Sequence, residues 1–198
     1  VMLKFESSEW NERIARLAPT RKVPTLWDGE PGAANAIAVW ETIAIIEYIA
    51  ECFPQFDIWP KNIAARALAR AISTEMHAGF QALRSSMPMN IRSQYPGKGM
   101  QAGVAENIAG VEAIWLSTRE RFGSHTDAPF LFGQFCAADA MFAPVVMRFH
   151  TYAPPLAAAT LQYCEAMKAA PGIAAWMAEA RLETELVGFD EPYASAPA

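Results

Sequence analysis

A glutamate and a threonine at the mouth of an apolar helix can together read both charges of an amino-acid head group. The stretch Trp40-Glu41-Thr42-Ile43-Ala44-Ile45-Ile46-Glu47-Tyr48-Ile49 has that form. A helix N-terminus presents unpaired N–H groups and a partial positive charge, so it receives a carboxylate, and the Thr42 hydroxyl adds a donor. Glu41 beside it can hold an ammonium. Taken alone, the same pair is also an ordinary helix cap.

A second candidate precedes it at Lys22-Val23-Pro24, where a proline with no N–H opens a β-prone run. A cis peptide before Pro24 would turn the chain so that Val23 offers its backbone N–H and C=O to an extended peptide, which then adds as a strand. A trans proline opening an edge strand is the alternative. A third constellation is Arg66, Arg70, Ser73, His77, Phe80 and Arg84, spaced by threes and fours on one face of a helix expected over 62–87. His77, Phe80 and Arg84, with Met87 as adaptable apolar lining, are candidates for a ligand cleft; a solvated or dimer-facing stripe is the alternative. The fourth is Asp139 at the start of the apolar run Ala140-Met141-Phe142-Ala143, where a carboxylate can accept from free backbone amides and complement the helix dipole. Asp139 is assigned there to structure, as a cap.

These residues need particular elements to hold them. Alternation over 1–5 suits a half-buried strand, and Trp10, Ile14 and Leu17 fall at helical spacing. Residues 23–27 end at Asp28-Gly29, a turn dipeptide, and 36–40 is again apolar, which predicts a hairpin. A helix over 41–53 follows and stops at Pro54. The segment 54–60 reads as a linker, after which strand signals vanish and helical patterns run from 62 to 186.

Composition sets the class. The chain has 198 residues with 53% hydrophobic and 19% charged, well away from disordered chains. A net charge of −5 and no basic run argue against nucleic acid. Apolar stretches fall short of the ~20 residues that span a bilayer, so no membrane association is expected. Cys52, Cys136 and Cys164 show neither disulfide nor zinc spacing, which points to reduced thiols, a cytoplasmic setting and no bound metal.

Lys22-Val23-Pro24-Thr25-Leu26, then Asp28-Gly29, then Trp40 to Ile49 resemble the glutathione-binding half of a soluble bacterial-type glutathione S-transferase. Gly133-Gln134-Phe135-Cys136-Ala137-Ala138-Asp139-Ala140 resembles that family's capping motif, with Cys136 departing from the usual serine or threonine. The resemblance implies an α/β plus all-α fold: a thioredoxin-like domain, incomplete here, over residues 1–53, and an all-helical domain over 61–198. It implies that Val23 pairs its backbone with the cysteinyl part of glutathione beside cis-Pro24, that Glu41 and Thr42 hold the γ-glutamyl end, and that Lys22 lies near the glycyl carboxylate. Glutathione as co-substrate, conjugation of its thiolate to a hydrophobic electrophile and a homodimer are implied with it. The family's first strand and helix have no counterpart here, and no residue of this chain matches the serine, tyrosine or cysteine that holds the sulfur. A non-catalytic binding protein of the same fold is therefore the alternative expectation.

Overall fold

The computed structural model describes residue 5 and residues 7–185, 187–188 and 191–194. The strand expected over 1–5 falls, but for Phe5, outside the described residues, as does the tail 195–198. The described chain forms two units that meet between Ile58 and Trp59, inside the 54–60 segment.

In the first unit, α1 spans Ser8–Leu17 and starts where the Ser7 side chain accepts the Trp10 N–H at 3.1 Å, a serine N-cap. It buries Ile14. The Trp27 indole Nε1 donates to the Leu17 carbonyl at 2.8 Å and ties the helix end to the sheet. That sheet is one antiparallel pair, β1 (Thr25–Asp28) and β2 (Ile37–Trp40), in the register Thr25 with Trp40 and Asp28 with Ile37. Gly29 turns the chain at φ +96°, a conformation that favours glycine, and a Cβ there would meet Ala36 at 3.2 Å. Helix α2 (Thr42–Cys52) closes the unit. Its Tyr48 hydroxyl donates to Asp28 Oδ2 at 2.6 Å, fixing the helix to the far end of β1. This bond pushes the Tyr48 hydroxyl well above its ordinary range.

The second unit is helical: α3 (Ile63–Ala78), α4 (Gln81–Ser86), α5 (Val104–Thr118), α6 (Ala137–Tyr152), α7 (Ala158–Ala169) and α8 (Pro171–Leu182). The last turn of α5 widens into a π-helical segment, Arg119–Gly123. Helix α6 is the centre, with most of its 16 residues buried against α3 on one side and α7 on the other. Trp115 of α5 packs against α6 and α7. Its ring meets those of Phe142, Phe149 and Tyr163 edge-on, with centroids 5.5, 5.8 and 4.7 Å away, the arrangement aromatic quadrupoles prefer. Among the described residues no helix is long and apolar enough to cross a membrane.

The single helix expected over 62–87 is two helices. Gly79 ends α3, its N–H donating to the Glu75 carbonyl at 2.7 Å, and Phe80 sits in the left-handed region at φ 56° before α4 begins. A Cβ on Gly79 would lie 2.7 Å from the Glu75 carbonyl oxygen, so the close approach depends on glycine. The break rotates everything after residue 79 off the stripe that a continuous helix would carry.

Candidate functional site

The ladder register assembles the first group. Because Thr25 pairs with Trp40, the residues just outside the ladder, Pro24 on one strand and Glu41 on the other, flank the same end of the hairpin. The Val23–Pro24 peptide is cis, and Val23 is exposed with 57% of its surface open. Lys22 is also exposed, and its carbonyl accepts the Thr25 hydroxyl at 3.3 Å. Lys22, Val23, Pro24, Glu41 and Thr42 are thus all at one sheet end.

Glu41 is the residue with the most unusual backbone there. It precedes the first turn of α2 at φ 67°, ψ 125°, a region that non-glycine residues rarely enter and that costs about 1–3 kcal/mol to hold. Its carbonyl begins the helix by accepting the Ile45 N–H at 3.0 Å, while its side chain makes no cap to the helix amides. Thr42 is the first helical residue and is half-buried. The first N–H groups of α2 therefore have no side-chain acceptor from the cap, and the dipole adds partial positive charge at that end. The local geometry suits an anionic group above Thr42 and a cationic one beside Glu41.

The six residues expected to share one face of a long helix do not share it. Arg66 Nη1 donates to the carbonyls of Pro60 and Lys61 at 3.3 and 3.1 Å, and Arg70 lies over the Trp59 ring at 5.8 Å. Ser73 is fully buried, so the six residues do not form one open face. His77 is exposed and Phe80 half-buried, near Gly110 of α5. Arg84 reaches back across the break, Nη1 donating to the His77 carbonyl at 2.7 Å, a charged group on the C-terminus of α3. Met87, expected to line a cleft, has no exposed surface; it ends α4 inside the core and presents nothing to a ligand.

Asp139 is fully buried and accepts three hydrogen bonds. The Leu131 N–H and Tyr163 hydroxyl donate to Oδ1 at 3.0 and 2.9 Å, and the Cys136 N–H donates to Oδ2 at 3.0 Å. The last of these is half of a capping box, whose other half sets the Cys136 sulfur against the Asp139 amide. Burial pushes the Asp139 carboxyl above its usual range, and the three donors oppose that rise. Burial, then the neighbouring Asp139, lifts the Cys136 thiol to about 12, so this sulfur stays protonated and unreactive near neutrality. Sequence reasoning missed Tyr163 and Leu131 as partners. Nothing local marks them, since Tyr163 lies a whole helix away. Among the described residues no group of three or more His, Cys, Asp or Glu is placed to hold a metal.

A hairpin unit closed by a helix is thus followed by an all-helical unit with a capped central helix. The family model for the glutathione S-transferase C-terminal domain matches residues 36–179, and the chain belongs to the glutathione S-transferase family. A probable maleylacetoacetate isomerase of Caenorhabditis elegans is 29% identical over 121 residues, 60% of this chain and 53% of that protein. Maleylacetoacetate isomerase of Dictyostelium discoideum is 27% identical over 96 residues, 48% of this chain and 41% of that protein. The chain spans about half the length of the curated relatives it matches. A glutathione transferase homologue from Burkholderia gl BGR1, solved with bound glutathione, shares the fold at a TM-score of 0.58 and 23% identity, over 84% of this chain and 77% of that one.

Proposed function

We propose that the protein binds glutathione at the hairpin end and conjugates its thiolate to a hydrophobic electrophilic small molecule. The observation that carries this reading is the Thr25–Trp40 register, which brings Val23 and the Glu41-Thr42 pair to one place. In that frame the Val23 backbone pairs with the cysteinyl part of the tripeptide beside cis-Pro24. The Thr42 hydroxyl and the first amides of α2 take the γ-glutamyl carboxylate, Glu41 takes the α-ammonium, and Lys22 faces the glycyl carboxylate. In the conjugation the glutathione S–H proton passes to water and the thiolate forms a C–S bond to the electrophilic carbon, whose leaving group departs with its bonding pair or, at an activated double bond, whose π pair takes up a proton from water. His77 and Phe80, at the end of α3, are the side chains we assign to the electrophile. A homodimer and a cytoplasmic setting belong to the same proposal. The solved relative with glutathione bound supports the glutathione-binding part of this reading.

The matched relatives named maleylacetoacetate isomerase favour a second reading, a glutathione-dependent cis–trans isomerisation in which the thiol adds and then leaves. Both readings share the glutathione site, so the first experiment addresses that site. Isothermal titration of glutathione into the parent and Thr42→Ala proteins is expected to show about tenfold weaker binding in the variant, the loss of one hydrogen bond to a charged group. Equal affinities would remove Thr42, and with it the site, from the assignment.

A further inference from the structure

A concavity of about 370 Å3 opens in the helical unit among α6, α7 and α8, and none of the residues assigned above to glutathione or the electrophile lines it. Two fixed cations and an imidazole, from three different helices, line it: Lys168 in the last turn of α7, Arg181 in the last turn of α8 and His150 in the last turn of α6. A helix C-terminus favours a cation, which accounts for each of the three alone. It does not account for their turning into one hollow, where Lys168 and Arg181 disfavour the protonated form of His150.

One carboxylate, Glu165, lines the same hollow. Lys168 Nζ pairs with Glu165 at 2.7 Å, but the Glu165 side chain is 71% exposed, so solvent screens the pair. Arg181 makes no hydrogen bond or ion pair among the described residues. Two fixed cations against one carboxylate leave one unit of positive charge without a partner. The wall includes Ala174 and Met177, apolar groups that an ion alone would not use. His150 Nε2 lies 3.2 Å from the Gln94 amide nitrogen, which can only donate, so the ring accepts there in its neutral form. Burial first, then Lys168 and Arg181, hold the imidazole below its usual range, and only the nearby Glu165 opposes them.

We propose that this concavity binds a small organic carboxylate, its charged end on Arg181 and Lys168 and its body on Ala174 and Met177, and that binding draws a proton onto His150. The guanidinium fork matches a carboxylate in two parallel hydrogen bonds. The volume lies in the ~300–1,000 Å3 range of small-molecule sites, larger than a bare ion needs. An anion there replaces repulsion at His150 with attraction, so by reciprocity protonation of His150 tightens binding of the anion. Affinity therefore rises as pH falls through the His150 titration for as long as the ligand's carboxylate keeps its charge.

The test uses the full chain with 4-phenylbutyrate, acetate and the neutral 4-phenylbutyramide, read by nuclear magnetic resonance of the histidine rings. His77 and His125 serve as internal references, and His150→Gln assigns the third signal. The proposal expects 4-phenylbutyrate to bind at least ~10-fold more tightly than acetate or the amide, ~10-fold more tightly near pH 5.5 than near pH 8, and to move only the His150 signal. Arg181→Glu should lose ~10-fold or more in affinity and Arg181→Lys should recover part of it, since both retain an exposed polar side chain and the fold. His150→Gln should still bind near pH 8 but without the pH dependence. Equal binding of amide and carboxylate, unchanged affinity in Arg181→Glu, or shifts spread over all three histidines would overturn the proposal.

Discussion

The Tyr163 hydroxyl donates to Asp139 Oδ1 at 2.9 Å between α7 and the first turn of α6, entirely out of solvent. The same carboxylate takes the Leu131 and Cys136 amides, so one side chain fastens the approach to α6, the helix start and α7 together. Asp139→Ala leaves three buried donors without an acceptor, each costing about 1–3 kcal/mol, and a total loss of about 3–5 kcal/mol is expected in urea denaturation. Tyr163→Phe removes one donor and should cost about 1–2 kcal/mol. The double variant should lose less than the sum, because the two residues share a bond. The folded fraction of Asp139→Ala should bind glutathione as the parent does; a normally stable variant with abolished binding would place Asp139 in the ligand site instead.

The same carboxylate gives stability a pH dependence of unusual sign. Burial raises its folded pKa above the unfolded value of 3.8, so between those two values the folded chain holds more protons than the unfolded one. The contribution is fully present below 3.8 and is lost as pH rises through the folded value. Asp139→Asn does not titrate there. Denaturation of parent and Asn variant across acid pH should show the parent's advantage shrinking as pH climbs; an advantage that grows with pH would contradict the buried-carboxylate account.

Glu41 separates stability from binding. Its φ of 67° is strained for any residue with a Cβ, and glycine relieves that strain at a cost of about 0.4–1 kcal/mol in the unfolded chain's entropy. Glu41→Gly should therefore melt at or slightly above the parent temperature. Glutathione binding, measured by titration, should weaken by about tenfold as the carboxylate opposite the ammonium is lost. A variant that melts several degrees lower while binding normally would assign Glu41 to the fold alone.

Much of the architecture was legible in local pattern. The hairpin at residues 23–40 follows from β-prone runs on either side of Asp28-Gly29, and α2 follows from its apolar run and the stop at Pro54, because turn chemistry and proline act on the residues next to them. The long stripe from Arg66 to Arg84 was misread for the complementary reason. Spacing assumes an unbroken helix, whereas the 2.7 Å approach of Gly79 to Glu75 and the left-handed Phe80 interrupt it.

The sequence by itself determined the order of the two units, the hairpin that runs between Val23-Pro24 and Glu41-Thr42, and the capping frame at Cys136 and Asp139. All of these rest on neighbours a few residues apart, where bond geometry and helix or strand period leave little choice. Only the tertiary structure decided that Met87 belongs to the core, that Tyr163 and Leu131 complete the shell of Asp139, and that His150, Lys168 and Arg181 turn into one hollow. Those relationships join residues on separate helices, and their meeting depends on how whole helices pack around Trp115 and α6, which no local spacing encodes.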